Sequence, residues 1–396
     1  MESAVSTTLF RAVGDEQRVS SEQLLREARE RFDDGTDFTV AVEEEFALLD
    51  PVSLDLVNRF EELQAAAVGT PAERHLAGEL IASEVEIKTG KIANFADVPT
   101  TIAARRAELV GLVDPLGLLL GATGSHPWAD WKEQRIIDTP HYRQNDELLR
   151  YVVWKNNTFG FHVHVGIRGA DRAIRVTSAL RNWLPELLAL SASSPFAEGV
   201  NTGLHSARTQ IFTKYFPRCG VPDSFDTWAD YERYVRFLYD TGSITEHTQL
   251  WWSVRPHLVF PTVEIRICDG QPSLAEAKSL AALCVALVAR VARAIDEGEP
   301  IEQQPPRMIE ENMWRAIRYG LSGDLIDLER GEVLSARARI ERLIEWVLPV
   351  AAEIGAADWL DVPEQNAAER QIARFEEGEE IAQIYGDLAL SPSRVG

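Results

Sequence analysis

The chain is 396 residues long, 45% hydrophobic and 26% charged, which suits a folded protein with one large α/β domain or two smaller ones. Its formal net charge of −22 leaves no basic footprint for nucleic acid or for an anionic membrane surface. Three widely spaced cysteines, Cys219, Cys268 and Cys284, without C-x-x-C spacing, argue against a disulfide framework or a structural zinc site and fit a reducing cytoplasm.

Residues 1–18 read as polar and loose, without the basic and apolar regions of a secretory signal. Residues 20–32 read as an amphipathic helix capped by Ser20 or Ser21. A strand follows that carries Val42-Glu43-Glu44-Glu45-Phe46 and ends at the turn signal Asp50-Pro51. A second strand spans 81–89 and alternates through Glu84, Glu86 and Lys88. Residues 103–113 read as a helix stopped by Pro115, and 118–122 as an apolar strand feeding a loop with His126, Trp128 and Trp131. Phe161-His162-Val163-His164-Val165 reads as a strand, and 172–191 as a helix interrupted near Pro185. Residues 194–218 read as loop and irregular structure, and 227–240 as a helix. Val263-Glu264-Ile265-Arg266-Ile267 reads as a strand, followed by helices at 274–297, 310–320, 333–354 and 365–384. Strands concentrate early and helices late, which is an α+β pattern. No run reaches the roughly 18–20 apolar residues of a membrane span.

Three of these strands set a charged or imidazole group on alternate positions, and alternate residues of a strand share a face. Glu43 and Glu45 therefore point together, as do His162 with His164 and Glu264 with Arg266. Apolar residues fill most of the opposite faces. The acids lie in a core-like stretch, where burial is costly without compensation. The alternative is a solvated acidic patch on an edge strand. Same-face neighbours lie about 6.6 Å apart, so two ions suit the acid pair better than one. Glu44 faces the other way and reads as structural. An H-x-H pair is either a couple of satisfied core histidines or a ligand pair. Beside carboxylates and no cysteine it suits Mg²⁺ or Mn²⁺ better than zinc. Glu264 and Arg266 form either a cross-strand salt bridge or a ligand beside a fork donor for phosphate. Glu86 is either a solvated acid or a ligand, and Asp269 ends its strand where site residues often sit. Arg208 is either a surface arginine or a binder of a substrate carboxylate. Trp128, Trp131, Trp251 and Trp252 read first as core aromatics. No P-loop, Rossmann turn or G-x-S-x-G elbow is present.

Together these residues resemble the glutamate–cysteine ligase type 2 family of carboxylate–amine ligases. The segments that carry the resemblance run in order through 41–46 (AVEEEF), 83–90 (SEVEIKTG), 124–131 (GSHPWADW), 159–166 (FGFHVHVG), 208–210 (RTQ), 216–220 (FPRCG), 251–257 (WWSVRPH), 261–269 (PTVEIRICD) and 312–321 (NMWRAIRYGL). The resemblance implies a glutamine-synthetase-like fold, a curved, mainly antiparallel sheet forming an active-site funnel with helices outside. It divides the chain into an appendage at 1–37 and a single catalytic domain at 38–390. It implies ATP, Mg²⁺ (or Mn²⁺) and an acyl-phosphate intermediate. The metal ligands it implies are Glu43, Glu45, Glu86, His162 and Glu264. His164, Arg266 and Arg208 are placed on the nucleotide or substrate, with Arg266, Glu264 and His164 as the catalytic set. Small-molecule substrates, a cytoplasmic setting and a possible homo-oligomer complete the expectation. A metal-dependent amide hydrolase using the same groups without ATP is the competing reading.

Overall fold

A computed structural model describes residues 15–394. Seven strands form its main sheet. They are β1 (Val40–Leu49), β2 (Leu76–Ala77), β3 (Glu84–Lys88), β4 (Leu119–Gly121), β5 (Gly160–Gly166), β6 (Val254–His257) and β7 (Thr262–Asp269). Their order is β2-β3-β1-β5-β7-β6, with β4 also on β1, and every pairing is antiparallel. The register sets Glu43 between Lys88 and His162, Glu45 opposite Glu86, and His164 opposite Glu264. Between the pairs Phe161–Cys268 and Val163–Ile265, β5 has one residue, His162, and β7 has two, Arg266 and Ile267. That is the count of a β-bulge, which changes the alternation and re-aims side chains beyond it.

One face of the sheet is apolar. Val42, Phe161, Val163, Val165, Val263 and Ile265 are buried in the main core. Helices Ala170–Leu180, Leu184–Ser191 and Leu274–Glu297 supply the other side of that core. The last of these starts at Ser273, whose side chain accepts from the Glu276 amide, and stops at Gly298 in the left-handed region (φ 71°). Each large apolar side chain buried here contributes about 1.5–3 kcal/mol. Glu44 also faces the helices. Its carboxylate accepts from Arg106 Nη2 at 2.6 Å and Nε at 3.0 Å, and Arg106 donates on to the Gln271 carbonyl at 2.8 Å.

Several elements differ from expectation. The first helix is Asp15–Asp33, so positions 20 and 21 fall inside it rather than at its cap. Leu25, Ala28 and Phe32 bury it in the main core. Residues 1–14, expected to be loose, lie outside the described residues. The stretch expected to be irregular holds a helix, Ala207–Tyr215, capped by the Ser206 side chain on the Thr209 amide. Its polar first turn hid the helical period. The helix at 172–191 is two, Ala170–Leu180 and Leu184–Ser191, with Pro185 in the first turn of the second. The helix expected at 333–354 begins after a short strand, Glu332–Ser335, and that at 365–384 divides at Gly378 (φ 96°) into Ala367–Glu376 and Ile381–Leu388. Among the described residues no helix is long and apolar enough to cross a membrane.

Candidate active site

The polar face of β1, β3, β5 and β7 floors a cavity of about 290 Å³. Glu43, Glu45, Glu84, Glu86, His162, His164, Glu264 and Arg266 all line it. Glu79 and Leu80 add a wall from the segment before β3, and Tyr142, Asn145 and Trp251 come from outside the sheet. The residues expected as metal ligands or as nucleotide and catalytic contacts all line it, Arg208 included, whereas Asp269, at the end of its strand, does not.

Oxygen and nitrogen atoms gather in overlapping groups. Glu43, Glu86 and His162 each offer an atom within 4.8 Å of the others, as do Glu43, His164 and Glu264, and Glu45, Glu79 and Glu86. Glu43 and Glu86 each belong to two groups. His164 Nδ1 lies 3.1 Å from the Thr262 hydroxyl, which aims Nε2 at Glu43 Oε2 (3.4 Å) and Glu264 Oε1 (3.8 Å). Gly160 donates its amide to Glu45 Oε2. A Cβ at Gly160 would lie 2.3 Å from Arg208 Nη2 and 2.6 Å from His162 Nε2, so only glycine lets the two side chains approach there.

Glu264 is the hub of the cationic end. Arg255 Nε donates to its Oε2 at 2.7 Å, and Arg266 donates to Oε1. Burial disfavours the Glu264 carboxylate, but Arg255, Arg266 and His164 outweigh it and hold its pKa well below the usual range. Arg208 reaches the cavity while donating to the Ile267 carbonyl at 3.1 Å. Asp269 is no part of the lining. It is fully buried and accepts from the Ser193 amide (3.0 Å) and the Ser194 and Ser206 hydroxyls (2.7 and 2.9 Å). It thereby fixes the start of the helix that carries Arg208.

The acidic end lacks matching positive charge. Burial, with Glu45 beside it, pushes Glu79 up to about 7, and burial with Glu43 and Glu79 raises Glu86 well above its usual range. Lys88 Nζ lies 2.6 Å from Glu86 Oε1 and 3.4 Å from Glu43 Oε1, so one ammonium offsets part of the charge. Glu84 Oε2, both ring nitrogens of His162 and His164 Nε2 are buried without a hydrogen-bond partner. Unpaired carboxylate and imidazole acceptors beside clustered acids are a donor set that fits a hard divalent cation.

Residues 39–383 match the Glutamate-cysteine ligase family 2 (GCS2). The chain belongs to this family. Among its relatives, a protein of Rubrobacter xylanophilus named as a candidate glutamate–cysteine ligase 2-3 is 40% identical over 325 residues, covering 82% of this chain and 87% of the relative. One of Solibacter usitatus, named as a candidate glutamate–cysteine ligase 2, is 37% identical over 364 residues, covering 90% and 94%. The fold is similar to that of the glutamate–cysteine ligase of Francisella tularensis solved with AMP (TM-score 0.63, 13% identity, 91% of this chain and 88% of that one).

In this member of glutamate–cysteine ligase family 2, the cavity also holds side chains to which sequence assigned no role, Glu79, Lys88 and Arg255 among them. Glu79 lies in irregular chain before β3, where no period marks it. Lys88 continues the alternation of Glu84 and Glu86, which was the available signal. Arg255 sits on β6, a strand that sequence reading left out, and register alone places it opposite Glu264. The aromatics divide. Trp251 lines the cavity, whereas Trp252 is core, and Trp128 packs edge-on against His126 and Tyr385.

Proposed function

We propose that the cavity ligates a carboxylate to an amine at the expense of ATP, as an enzyme of the glutamate–cysteine ligase type, with glutamate as acyl donor and cysteine as amine. The observation that carries this reading is the meeting, around one cavity, of clustered carboxylates and imidazoles with Arg255, Arg266 and Arg208. A carboxylate at neutral pH is a poor electrophile. Transfer of the γ-phosphoryl group of ATP to its oxygen makes an acyl phosphate and releases ADP. The amine then attacks the acyl carbon and phosphate departs.

Glu43, Glu45, Glu86, His162 and Glu264 would hold Mg²⁺ or Mn²⁺, and Glu79 joins them. Such ions, when bound, neutralise phosphate charge and make an acidic cavity hospitable to two anionic substrates. The remaining chemistry is positioning by the protein. Arg266, anchored on Glu264, would meet the charge that grows on the transferred group. Thr262 fixes the imidazole of His164, whose Nε2, beside Glu43 and Glu264, would contact the phosphates. Arg208, held by the Ile267 carbonyl, would bind a substrate carboxylate or the nucleotide. Residues 38–390 act as one catalytic unit, and the helix Asp15–Asp33 docks on it through Leu25, Ala28 and Phe32.

The deciding experiment supplies purified protein with ATP, Mg²⁺, glutamate and cysteine, and reads phosphate release together with product mass. The reading requires stoichiometric phosphate and γ-glutamyl product only when both amino acids are present. Amide cleavage in the absence of ATP would instead establish the hydrolase, which no observation here favours.

A further inference from the structure

A second cavity of about 430 Å³ lies in the helical layer and shares no lining residue with the first. Its walls include Glu186 from the helix Leu184–Ser191, Gln304 from the segment before the helix Pro306–Tyr319, and Arg339, Arg342 and Trp346 from the helix Ala336–Ile354. Trp183 and Trp346 stack with ring centres 5.0 Å apart and planes 19° apart, and both line the cavity.

Two buried polar groups of this wall are half satisfied. The Glu186 side chain is 1% exposed. Its Oε1 accepts from Arg339 Nε at 3.0 Å and Nη2 at 2.7 Å, while Oε2 has no partner. Gln304 is 5% exposed, and its Nε2 donates to nothing. Arg181 is fully buried, donates Nη2 to the Gln304 carbonyl at 2.9 Å, and leaves Nε and Nη1 unpaired. An unpaired carboxylate oxygen wants a donor, and an unpaired amide N–H beside a buried guanidinium wants an anionic acceptor. Buried groups of this kind in a native fold call for an explanation, and beside a cavity a bound polar ligand supplies one. Arg339 does not supply the missing charge, because it already serves Glu186 and lies 3.2 Å from Asp327 Oδ2.

We propose that this second cavity binds a free α-amino acid with an apolar or aromatic side chain, its ammonium on Glu186 Oε2, its carboxylate on Gln304 Nε2, and its side chain against the Trp183–Trp346 wall. The inference stands independently of the ligase reading, since it uses none of the same residues.

The test is calorimetric titration of the full chain with L-phenylalanine as the probe. Saturable one-site binding is expected. It weakens at least tenfold in Glu186→Gln and in Gln304→Leu, and is unchanged in His162→Ala, a variant of the first cavity. Gln304→Leu leaves the Glu186–Arg339 pair intact, so it carries the test if Glu186→Gln fails to fold. Phenethylamine, without the carboxylate, and hydrocinnamate, without the ammonium, each bind at least tenfold more weakly than phenylalanine. The proposal is overturned if the native chain shows no saturable heat, if binding survives both substitutions, or if His162→Ala alone abolishes it. Hydrocinnamate binding as tightly as phenylalanine overturns the assignment of Glu186.

Discussion

Both ring nitrogens of His162 are buried and neither has a hydrogen-bond partner among the described residues. Burial, with Arg266 beside it, lowers the pKa of this imidazole, so it stays neutral and keeps a lone pair for a ligand. Removing it takes away only long contacts, 3.6 Å from Nδ1 to Glu43 and 3.7 Å from Nε2 to Glu45. His162→Ala is therefore expected to lower turnover at least about 100-fold while changing stability by less than about 2 kcal/mol. Activity assays beside urea denaturation check this, and normal turnover would remove His162 from the site. Gly160 tests the neighbouring contact. A methyl group there meets the Arg208 guanidinium and the His162 ring. Gly160→Ala should displace both and raise the KM of the acyl donor at least about tenfold, whereas an unchanged KM would separate Arg208 from substrate.

At the scale of elements, the Glu44–Arg106 pair joins β1 to the helix Val98–Val113. Arg106 is fully buried, so Arg106→Ala strands a carboxylate in the core and should cost about 3–5 kcal/mol. The double replacement Glu44→Leu with Arg106→Met should recover most of that loss in urea melts, and equal destabilisation of the two would refute the charge argument. What sequence could reveal at this scale follows from period. A strand with one wet and one dry face declares itself, so β1, β3, β5 and β7 and their acids, histidines and Arg266 were legible. Glu79 on irregular chain has no period to declare it. The helix Ala207–Tyr215 buries Ala207, Arg208 and Thr209 and turns Arg208 and Phe212 to the cavity, which mixes polar and apolar signals. Arg255 needed the register of β6 on β7, a long-range fact that no local pattern holds.

For the whole molecule, a net charge of −22 and a knot of buried acids make the cation-free protein self-repelling. Mg²⁺ at 100 times its Kd should stabilise the fold by about 2.7 kcal/mol if one ion binds the native state alone, and excess chelator should reverse the gain and abolish ligation. Thermal denaturation with and without chelator measures it, and a metal-insensitive transition with full activity in chelator would defeat the cation reading. The separation of labour across the sheet was visible in the alternating strands, whereas the second cavity was not, because its walls come from segments more than a hundred residues apart, such as Glu186 and Arg339. Lys88 adds a consequence for how the protein is filled. Its ammonium is a tethered positive charge between two carboxylates, so an ion held by both would compete with it for their oxygens, and loading would be an exchange rather than an addition.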